Sequence, residues 1–536
     1  MIPLHVHTNY SLLNSTLSVE DLVSVCLNNS INRAALTDTN AMNGLIQFTK
    51  KSKNSGLEAI LGAYIDEPDA EENYVILLAK NNKGYSDICK IITQRKLIED
   101  FSLQKILKNV WEDIFIISPS IILLKEINKS NSVFSEIIPT SANKKKALEL
   151  FNFSKDNGIP IVASHPIYFS KKEDIELHDL ITAIRLNTVV DNVKQNRKID
   201  SEFYFKSINE MEKPFLKIPE ALKNNLMIAN QCSVNLRLGE YKYPVYPDLN
   251  NGSSGSLLTK ISYEGLSRRY EKISDVIIKR LEYELQVINE LNFSDYFLIV
   301  WDIVREAKNR GMMTIGRGSA ANSLVAYCLE LTQVDPIKHN LFFERFLNKA
   351  RRSPPDIDLD FSWKERDEIV KYVYEKYGYD KVAMISTMIT FRARSAFREV
   401  AKAFGISDKE ISLYSKKIPW TDASNLPNIT KLFPESRNAG FDKEPWKTII
   451  NFASKIANFP RHLSIHPGGI VITPKKISDY CALEYAKNKG LGLIITQPDM
   501  YSLEELGLIK IDLLSQRSLG VLRDTVDVIK KNHKGA

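Results

Sequence analysis

The sequence predicts an α/β chain of several domains, and three observations carry that reading. The chain has 536 residues, more than one hydrophobic core usually holds, with 44% hydrophobic and 26% charged residues, as in ordinary globular proteins. Short apolar runs alternate with helical patterns over residues 2–163. The second half carries long amphipathic helices, then segments in which carboxylates alternate with large apolar residues.

In order along the chain, Ile-Pro-Leu-His-Val-His at 2–7 reads as a short strand. His5 and His7 fall on one side of it, as a metal pair on a strand would. Residues 18–27 read as a helix with Ser18 as N-cap. Strands are expected at 34–38, 57–62, 74–79 and 159–163. Residues 170–240 are charged and helix-rich, with His178 on a helix face. The stretch 243–256, rich in Pro, Asn, Gly and Ser, reads as a linker and the main domain boundary. Two helices follow. That over 274–291 has the apolar stripe Ile277, Leu281, Leu285, Ile288 and Leu291; that over 295–309 has Tyr296, Val300, Ile303, Val304 and Ala307. Both stripes read as core.

Composition removes several classes. No run of 18 or more apolar residues occurs, so no membrane span or membrane partner is expected. The N-terminus has neither the basic region nor the apolar core of a signal peptide. Cys26, Cys89, Cys232, Cys328 and Cys481 lack CxxC spacing, which fits a reduced cytoplasm and no zinc site. The net charge of +7 permits nucleic-acid binding without establishing it.

Two motifs carry chemistry. Gly316-Arg317-Gly318-Ser319-Ala320-Ala321-Asn322-Ser323 opens a helix at 324–328. A glycine-rich turn there can aim backbone N–H groups at a phosphate, aided by the helix dipole, with a hydroxyl from Ser319 and charge from Arg317. The spacing is not that of a P-loop or a dinucleotide fingerprint, and a plain tight turn into a buried helix fits equally. The second motif is Pro355-Asp356-Ile357-Asp358-Leu359-Asp360-Phe361. As a strand it buries Ile357, Leu359 and Phe361 and sets three aspartates on the other face, about 6–7 Å apart. Such crowding is unfavourable unless a cation intervenes, and Mg²⁺ suits carboxylate oxygens. A solvated edge strand is the other reading. A calcium loop fails, because its sixth and twelfth positions would be Phe361 and Asp367. Ser362-Trp363-Lys364-Glu365 reads as a capping box for a helix ending near Gly378.

Further on, Thr390-Phe391-Arg392-Ala393-Arg394-Ser395 and Phe397-Arg398 interleave cations with aromatics, which suits a nucleic-acid backbone as well as a solvated helix face. Arg461-His462 and His466-Pro467-Gly468-Gly469 form a basic, glycine-containing turn, with no carboxylate nearby in sequence to give either histidine a metal role. In Lys510-Ile511-Asp512, alternation places Lys510 and Asp512 on one strand face; an ordinary buried strand with a surface ion pair is the plainer reading.

The opening His5-Val6-His7-Thr8-Asn9-Tyr10-Ser11, with Ala35-Leu36-Thr37-Asp38 and Leu77-Leu78-Ala79-Lys80-Asn81-Asn82-Lys83-Gly84-Tyr85, resembles the PHP (polymerase and histidinol phosphatase) domain, a distorted α/β barrel that binds metals in its active versions. Three positions depart from that pattern. Thr39 stands where the family often has His, Tyr64 where it has Glu, and His165-Pro166-Ile167-Tyr168 where it has Asn-Asp-x-His. The resemblance therefore implies a scaffold over 1–242 whose His5 and His7 hold no metal.

A Gly-Ser loop before an Asp-x-Asp strand is the plan of nucleotidyltransferases of the polymerase-beta type. The run 296–302, the Gly-Arg-Gly-Ser loop, Phe343-Glu344-Arg345-Phe346-Leu347, the basic Lys349-Ala350-Arg351-Arg352 and the Asp triplet occur in order. Together they resemble the C family of DNA polymerases, that of the bacterial polymerase III alpha subunit. Ala321-Asn322-Ser323, Pro354-Pro355-Asp356 and Phe459-Pro460-Arg461-His462-Leu463-Ser464 are nearer to its error-prone branch.

The resemblance implies a palm at 257–387 and 467–525, a helical thumb at 388–466 and a basic tail at 526–536. It implies that Asp356, Asp358 and Asp512 hold two Mg²⁺ ions, with Asp360 a neighbour. Arg317, Gly318, Ser319, Arg345 and Lys510 are expected at the dNTP phosphates, and Arg392, Arg394, Arg398, Arg461 and His462 at primer-template DNA. Family members continue past this point into a fingers domain, so other replicase subunits or a separate fingers-bearing segment are expected partners. A fragment that binds DNA or partner subunits without turnover is the alternative. A phosphoesterase in the N-terminal domain is a third reading, and the missing ligands argue against it.

Overall fold

The computed structural model describes residues 1–128, 131–249, 252–350, 354–486 and 493–532. They build two mixed sheets. The first contains β1 (Arg33–Leu36), β2 (Glu58–Glu67), β3 (Ala70–Ala79), β4 (Ile114–Ser118), β5 (Ser132–Ile137) and β6 (Ile161–Ala163), in that spatial order. The second contains β7 (Thr314–Arg317), β8 (Asp358–Ser362), β9 (Val382–Thr390), β10 (Pro460–Ile472), β11 (Leu483–Tyr485), β12 (Ile494–Asp499) and β13 (Lys510–Gln516), in the order β11-β12-β9-β10-β13-β8-β7.

The expected N-terminal strands at 34–38, 57–62, 74–79 and 159–163 correspond to β1, β2, β3 and β6. β2 and β3 form an antiparallel hairpin rather than a strand-helix-strand unit. β4 and β5 escaped the pattern: β4 is buried on both faces and does not alternate. Residues 2–7 are not a ladder strand; only Val6 bridges, to Ile167. Pro3 has no N–H to give. The segment still ties the sheet's two ends together. Pro3 and Val6 carbonyls accept from Ala35 and Thr37 at 2.8 Å, while His7 donates to the Ile167 carbonyl at 2.9 Å. The sheet curls into a half-closed barrel as a result. The helix Val19–Asn28 starts as expected, with Ser18 Oγ accepting the Asp21 N–H at 3.0 Å.

In the second sheet, the period-two pattern decides the faces. Ile357, Leu359 and Phe361 are fully buried. They share a core with Ile277, Leu281, Leu285 and Ile288 of the helix Asp275–Glu290, and with Tyr296, Val300 and Ile303 of the helix Ser294–Asn309. Burying one such side chain contributes roughly 1.5–3 kcal/mol. The opposite face is divided. Ala383, Ile385 and Val471, from β9 and β10, join the core of the N-terminal domain. Over β8 and β13 that face carries Asp358, Lys510 and Asp512 instead.

β9 and β10 run antiparallel, and the helical unit 393–455 sits between them in the chain. Its core includes Phe391, Phe397 and Trp446 together with Leu177, Leu180 and Ile181 of the helix Ile175–Leu186, so the N-terminal region packs against it as well.

Four local expectations are corrected. The helix Ser254–Arg269 begins inside the linker stretch, capped by Ser253, and Tyr246 is buried with its N–H on Asp295 at 2.8 Å. The capping box at 362–365 does not form: Ser362 ends β8, the helix Arg366–Tyr377 starts later, and Glu365 pairs with Arg523 at 2.9 Å. His466-Pro467-Gly468-Gly469 is a bulge within β10, not a turn. The C-terminal helix Arg517–Asn532 runs through most of the expected tail. Residues 533–536, and Arg351 and Arg352 of the basic run, lie outside the described residues.

His165 and His178 are buried, and burial pushes each imidazole down to about 4. The unfolded chain, with histidines near their ordinary value, binds more protons between pH 4 and 6.5, so stability rises with pH across that window. Each histidine contributes on the order of 3 kcal/mol above pH 6.5, lost as pH falls toward 4. Urea midpoints measured from pH 7 to 4.5 should fall steadily, and His178→Gln should flatten the slope. An unchanged slope in that variant would contradict the assignment.

Candidate active site

The site is built by sheet register. β8 and β13 are parallel with Asp358 opposite Asp512. β7 sets Arg317 opposite Asp358, and β10 sets Gly469 opposite Asp512. One row across four strands therefore reads Arg317, Asp358, Asp512, Gly469. Asp356 comes from the extended stretch before β8 and is exposed. A carboxylate oxygen from each of Asp356, Asp358 and Asp512 lies within 4.8 Å of the other two, the one such group of three ligand residues among the described residues.

Charge balance at this cluster favours a cation. Burial and the neighbouring Asp356 and Asp512 carboxylates push the Asp358 carboxyl above its ordinary range, against Arg317 and Lys510. Lys510 Nζ sits 2.7 Å from Asp512 Oδ2. Burial opposes the Lys510 charge, but that hydrogen bond and the three carboxylates raise its ammonium above the ordinary lysine value. Asp512 Oδ1 is buried with no hydrogen-bond donor. A buried carboxylate oxygen without a donor costs about 1–3 kcal/mol or more, a cost that a coordinated ion removes. The donor set, all hard oxygen, fits a divalent cation such as Mg²⁺. Asp360 is engaged elsewhere, 3.3 Å from Arg317 Nε and from Gln516 Nε2.

The Gly-Ser loop lies beside this cluster. Gly318 has φ +76°, and the place of its missing Cβ is 3.8 Å from Asp358 Oδ2. Gly316 packs so closely that an added Cβ would meet the Leu331 carbonyl at 1.8 Å. The loop makes a 3-10 turn, Gly318–Asn322, before the short helix Leu324–Cys328. The expected use of that helix's N-terminus for phosphate is not supported. Its amides are already taken: Ser323 Oγ accepts from Ala326 at 3.1 Å, and the buried Glu284 carboxylate accepts from Val325 at 3.0 Å and from the Ser323 hydroxyl at 2.8 Å. Arg280 clamps Glu284 at 2.6 Å and holds the Asn322 and Leu341 carbonyls at 3.1 Å. Sequence reasoning missed this support, although Glu284 stands on the apolar stripe of its helix, three residues after Leu281 and four before Ile288. Arg317 is turned onto Asp358 and Asp360, at 3.9 and 3.3 Å. Arg345 is exposed in the turn Phe343–Arg345, which packs on the Gly-Ser turn.

The residues expected at DNA are less free than their charge suggests. Phe391 and Phe397 are fully buried, so the aromatics of that run are core and only the cations face out. Arg392 pairs with Asp422 at 3.0 Å, Arg394 donates to the Ile418 carbonyl, and Arg398 reaches Ser415 at 3.3 Å. Arg461 pairs with Glu399 at 2.6 Å. Arg461 and His462 line a cleft of about 440 Å³ whose other wall includes Asn14, Thr39 and Arg185 of the N-terminal domain.

The N-terminal histidines are sealed. His5 Nδ1 is 2.7 Å from Glu136 Oε1, His5 Nε2 is 3.0 Å from His7 Nε2, and His7 Nδ1 is 3.1 Å from Thr39 Oγ1. Glu136, missed in the sequence, also accepts from Ser164 at 2.6 Å and Tyr74 at 2.9 Å. Tyr168 stacks on His7 at 4.2 Å between ring centres, and Tyr64 lies edge-on to it at 5.1 Å. Burial, then the neighbouring His5 and His178, hold the His7 imidazole well below its ordinary value. Glu136, Thr39 and the Tyr168 and Tyr64 rings thus surround the two histidines. His7→Ala should leave metal-dependent phosphoester hydrolysis at its background level and lower the thermal midpoint; a hydrolytic activity lost in that variant but kept in Asp358→Ala would contradict this.

The second sheet thus brings three convergent carboxylates beside a Gly-Ser turn, an arrangement suited to metal-assisted phosphoryl chemistry. Residues 256–515 belong to the family described as the bacterial DNA polymerase III alpha NTPase domain, and residues 3–158 to the PHP domain family. Similar curated proteins are named either error-prone DNA polymerase or DNA polymerase III subunit alpha. The error-prone DNA polymerase of Symbiobacterium thermophilum is 33% identical over 98% of this chain and 52% of its own length. The DNA polymerase III subunit alpha of Bacillus subtilis is 35% identical over 99% and 49%, and that of Haemophilus influenzae 32% identical over 98% and 49%. The chain thus spans about half the length of the curated relatives it matches. No helix among the described residues is long and apolar enough to cross a membrane.

Proposed function

We propose that the chain acts as a template-directed DNA polymerase in replication or repair synthesis, moving a nucleotidyl group from a dNTP to a primer 3′-hydroxyl. The observation that carries this is the row Arg317–Asp358–Asp512, with Asp356 closing the carboxylate group to within 4.8 Å. In the reaction the primer oxygen forms a bond to the α-phosphorus, the bond to pyrophosphate breaks, and the hydroxyl proton passes to solvent water. Two Mg²⁺ ions, when bound, would acidify the hydroxyl and screen the phosphates. Asp356, Asp358 and Asp512 would hold those ions in place. Lys510 orients Asp512 and adds positive charge beside the reacting phosphate. Gly318 and Ser319 present the loop to the triphosphate, held from behind by Glu284. Arg317 exchanges its carboxylate partners for phosphate when the nucleotide arrives, and the exposed Arg345 offers a bidentate contact. Primer-template DNA lies along the cationic side of 392–398 and β10, and other replicase subunits are partners.

Primer extension with Mg²⁺ and all four dNTPs tests this. Template-dependent products that require Asp358 support the reading. Extension that proceeds undiminished in Asp358→Ala would overturn it.

A further inference from the structure

The bulge of β10 opposite Asp512 is held by an imidazole. Between Ile465 and Ile470, β10 slips out of register with Ser386 and Met384 of β9. Gly469 then returns to pair with Asp512 of β13. Inside the bulge the His466 ring folds back on its own strand. Its Nδ1 accepts the Gly469 N–H at 2.7 Å and, more weakly, the Gly468 N–H at 3.3 Å. An acceptor nitrogen carries no proton, so the neutral ring keeps its hydrogen on Nε2.

The same Nδ1 is 3.9 Å from Asp512 Oδ1. That is too long for a hydrogen bond, and its lone pair is already used. Asp512 Oδ1 is therefore shielded by a group that cannot donate to it, while Oδ2 is taken by Lys510. Space fixes the arrangement. A Cβ on Gly469 would sit 2.8 Å from His466 Nδ1, and one on Gly468 would sit 2.4 Å from Leu514 Cδ2. Arg366 braces the far side, donating to the Leu513 carbonyl at 3.0 Å and the Pro467 carbonyl at 3.4 Å. The charged groups facing the ring are Asp512, Lys510 and Arg366.

We infer that His466 is a positioning residue for Asp512: its Nδ1 locks the bulge through the Gly469 amide and leaves Asp512 Oδ1 without a competing donor, free for a divalent ion. This rests on the reading of Asp512 as a metal ligand. Groups that orient a ligand from behind are worth about 10–100-fold in metal affinity or activity.

Side-chain geometry supplies the test. Asn places an acceptor oxygen where Nδ1 stands; Gln places one where Nε2 stands. The full chain is compared as wild type, His466→Ala, His466→Asn and His466→Gln. Three readouts are taken: peptide-resolved hydrogen exchange over 465–470 without metal, Mn²⁺ titration by calorimetry, and the kcat and KM for dNTP.

Ala and Gln should speed exchange in the bulge and weaken Mn²⁺ binding and kcat by about 10–100-fold, with KM moving less than about twofold. Asn should stay within about threefold of wild type throughout. Should Ala fail to fold, the Asn–Gln pair decides. Unchanged exchange and Mn²⁺ affinity in Gln, or an Asn variant as impaired as Gln, would overturn the inference. A wild-type chain that binds no Mn²⁺ would overturn the metal-site reading itself, and that outcome appears before any variant is compared.

Discussion

Asp358→Ala should lower nucleotidyl transfer by at least about a thousandfold, while Asp360→Asn should lower it by less than about tenfold. The two residues are neighbours on one face of β8, and alternation by itself ranks them equally; the family resemblance is what sets Asp360 apart as a neighbour rather than a ligand. Their partners separate them. Asp358 lies opposite Asp512 in the ladder, and its oxygen belongs to the group of three within 4.8 Å. Asp360 lies opposite Leu514 and spends its carboxylate on Arg317 and Gln516. Charge stabilisation by a held metal is worth several kcal/mol in the transition state, and about 4 kcal/mol is a thousandfold in rate. Asp358→Ala should not unfold the protein. Its carboxyl is pushed up by burial and by Asp356 and Asp512, so removing it relieves repulsion in the metal-free state. Steady-state extension rates with thermal midpoints for both variants check this. Equal losses in rate would show that the triplet is divided wrongly.

Glu284→Ala should destabilise the chain by about 3–5 kcal/mol, the usual cost of removing one partner of a buried ion pair. The carboxylate is fully buried and accepts from Arg280, the Ser323 hydroxyl and the Val325 amide. Its loss leaves the Arg280 Nε–H, the Ser323 hydroxyl and the Val325 N–H without that acceptor and frees the loop that carries Gly318 and Ser319. Glu284→Gln retains an acceptor oxygen and should cost less than half as much. Urea denaturation measures the stability. The dNTP KM should rise in Glu284→Ala, because the loop is no longer held. A Glu284→Ala midpoint equal to wild type would show that Glu284 does not hold this loop.

The legible parts of this protein were those whose signal is local. Alternation from Asp356 to Phe361 announced a strand with an acidic face, and Ile357, Leu359 and Phe361 are indeed fully buried. The stripes from Ile277 and from Tyr296 announced the helices that cover it. β4 gave no alternation because neither of its faces meets water. The cations of 392–398 looked available because their partners, Asp422, Ile418 and Ser415, come from later in the chain. His466 could not be connected to Asp512 from sequence; only the register of β10 with β13 joins them. Glu284 was within reach, since a carboxylate on an apolar stripe demands a buried partner, and Arg280 stands one turn before it.

As proposed, Asp356, Asp358 and Asp512 hold two divalent ions. Calorimetric titration of the purified chain with Mn²⁺, in the presence of primer-template DNA and a non-hydrolysable dNTP, counts them. Two bound ions in the wild type, with binding lost in Asp358→Ala and in Asp512→Asn but kept in Asp360→Asn, is the predicted result. No divalent binding in the wild type, or binding unchanged by Asp358→Ala, would contradict it.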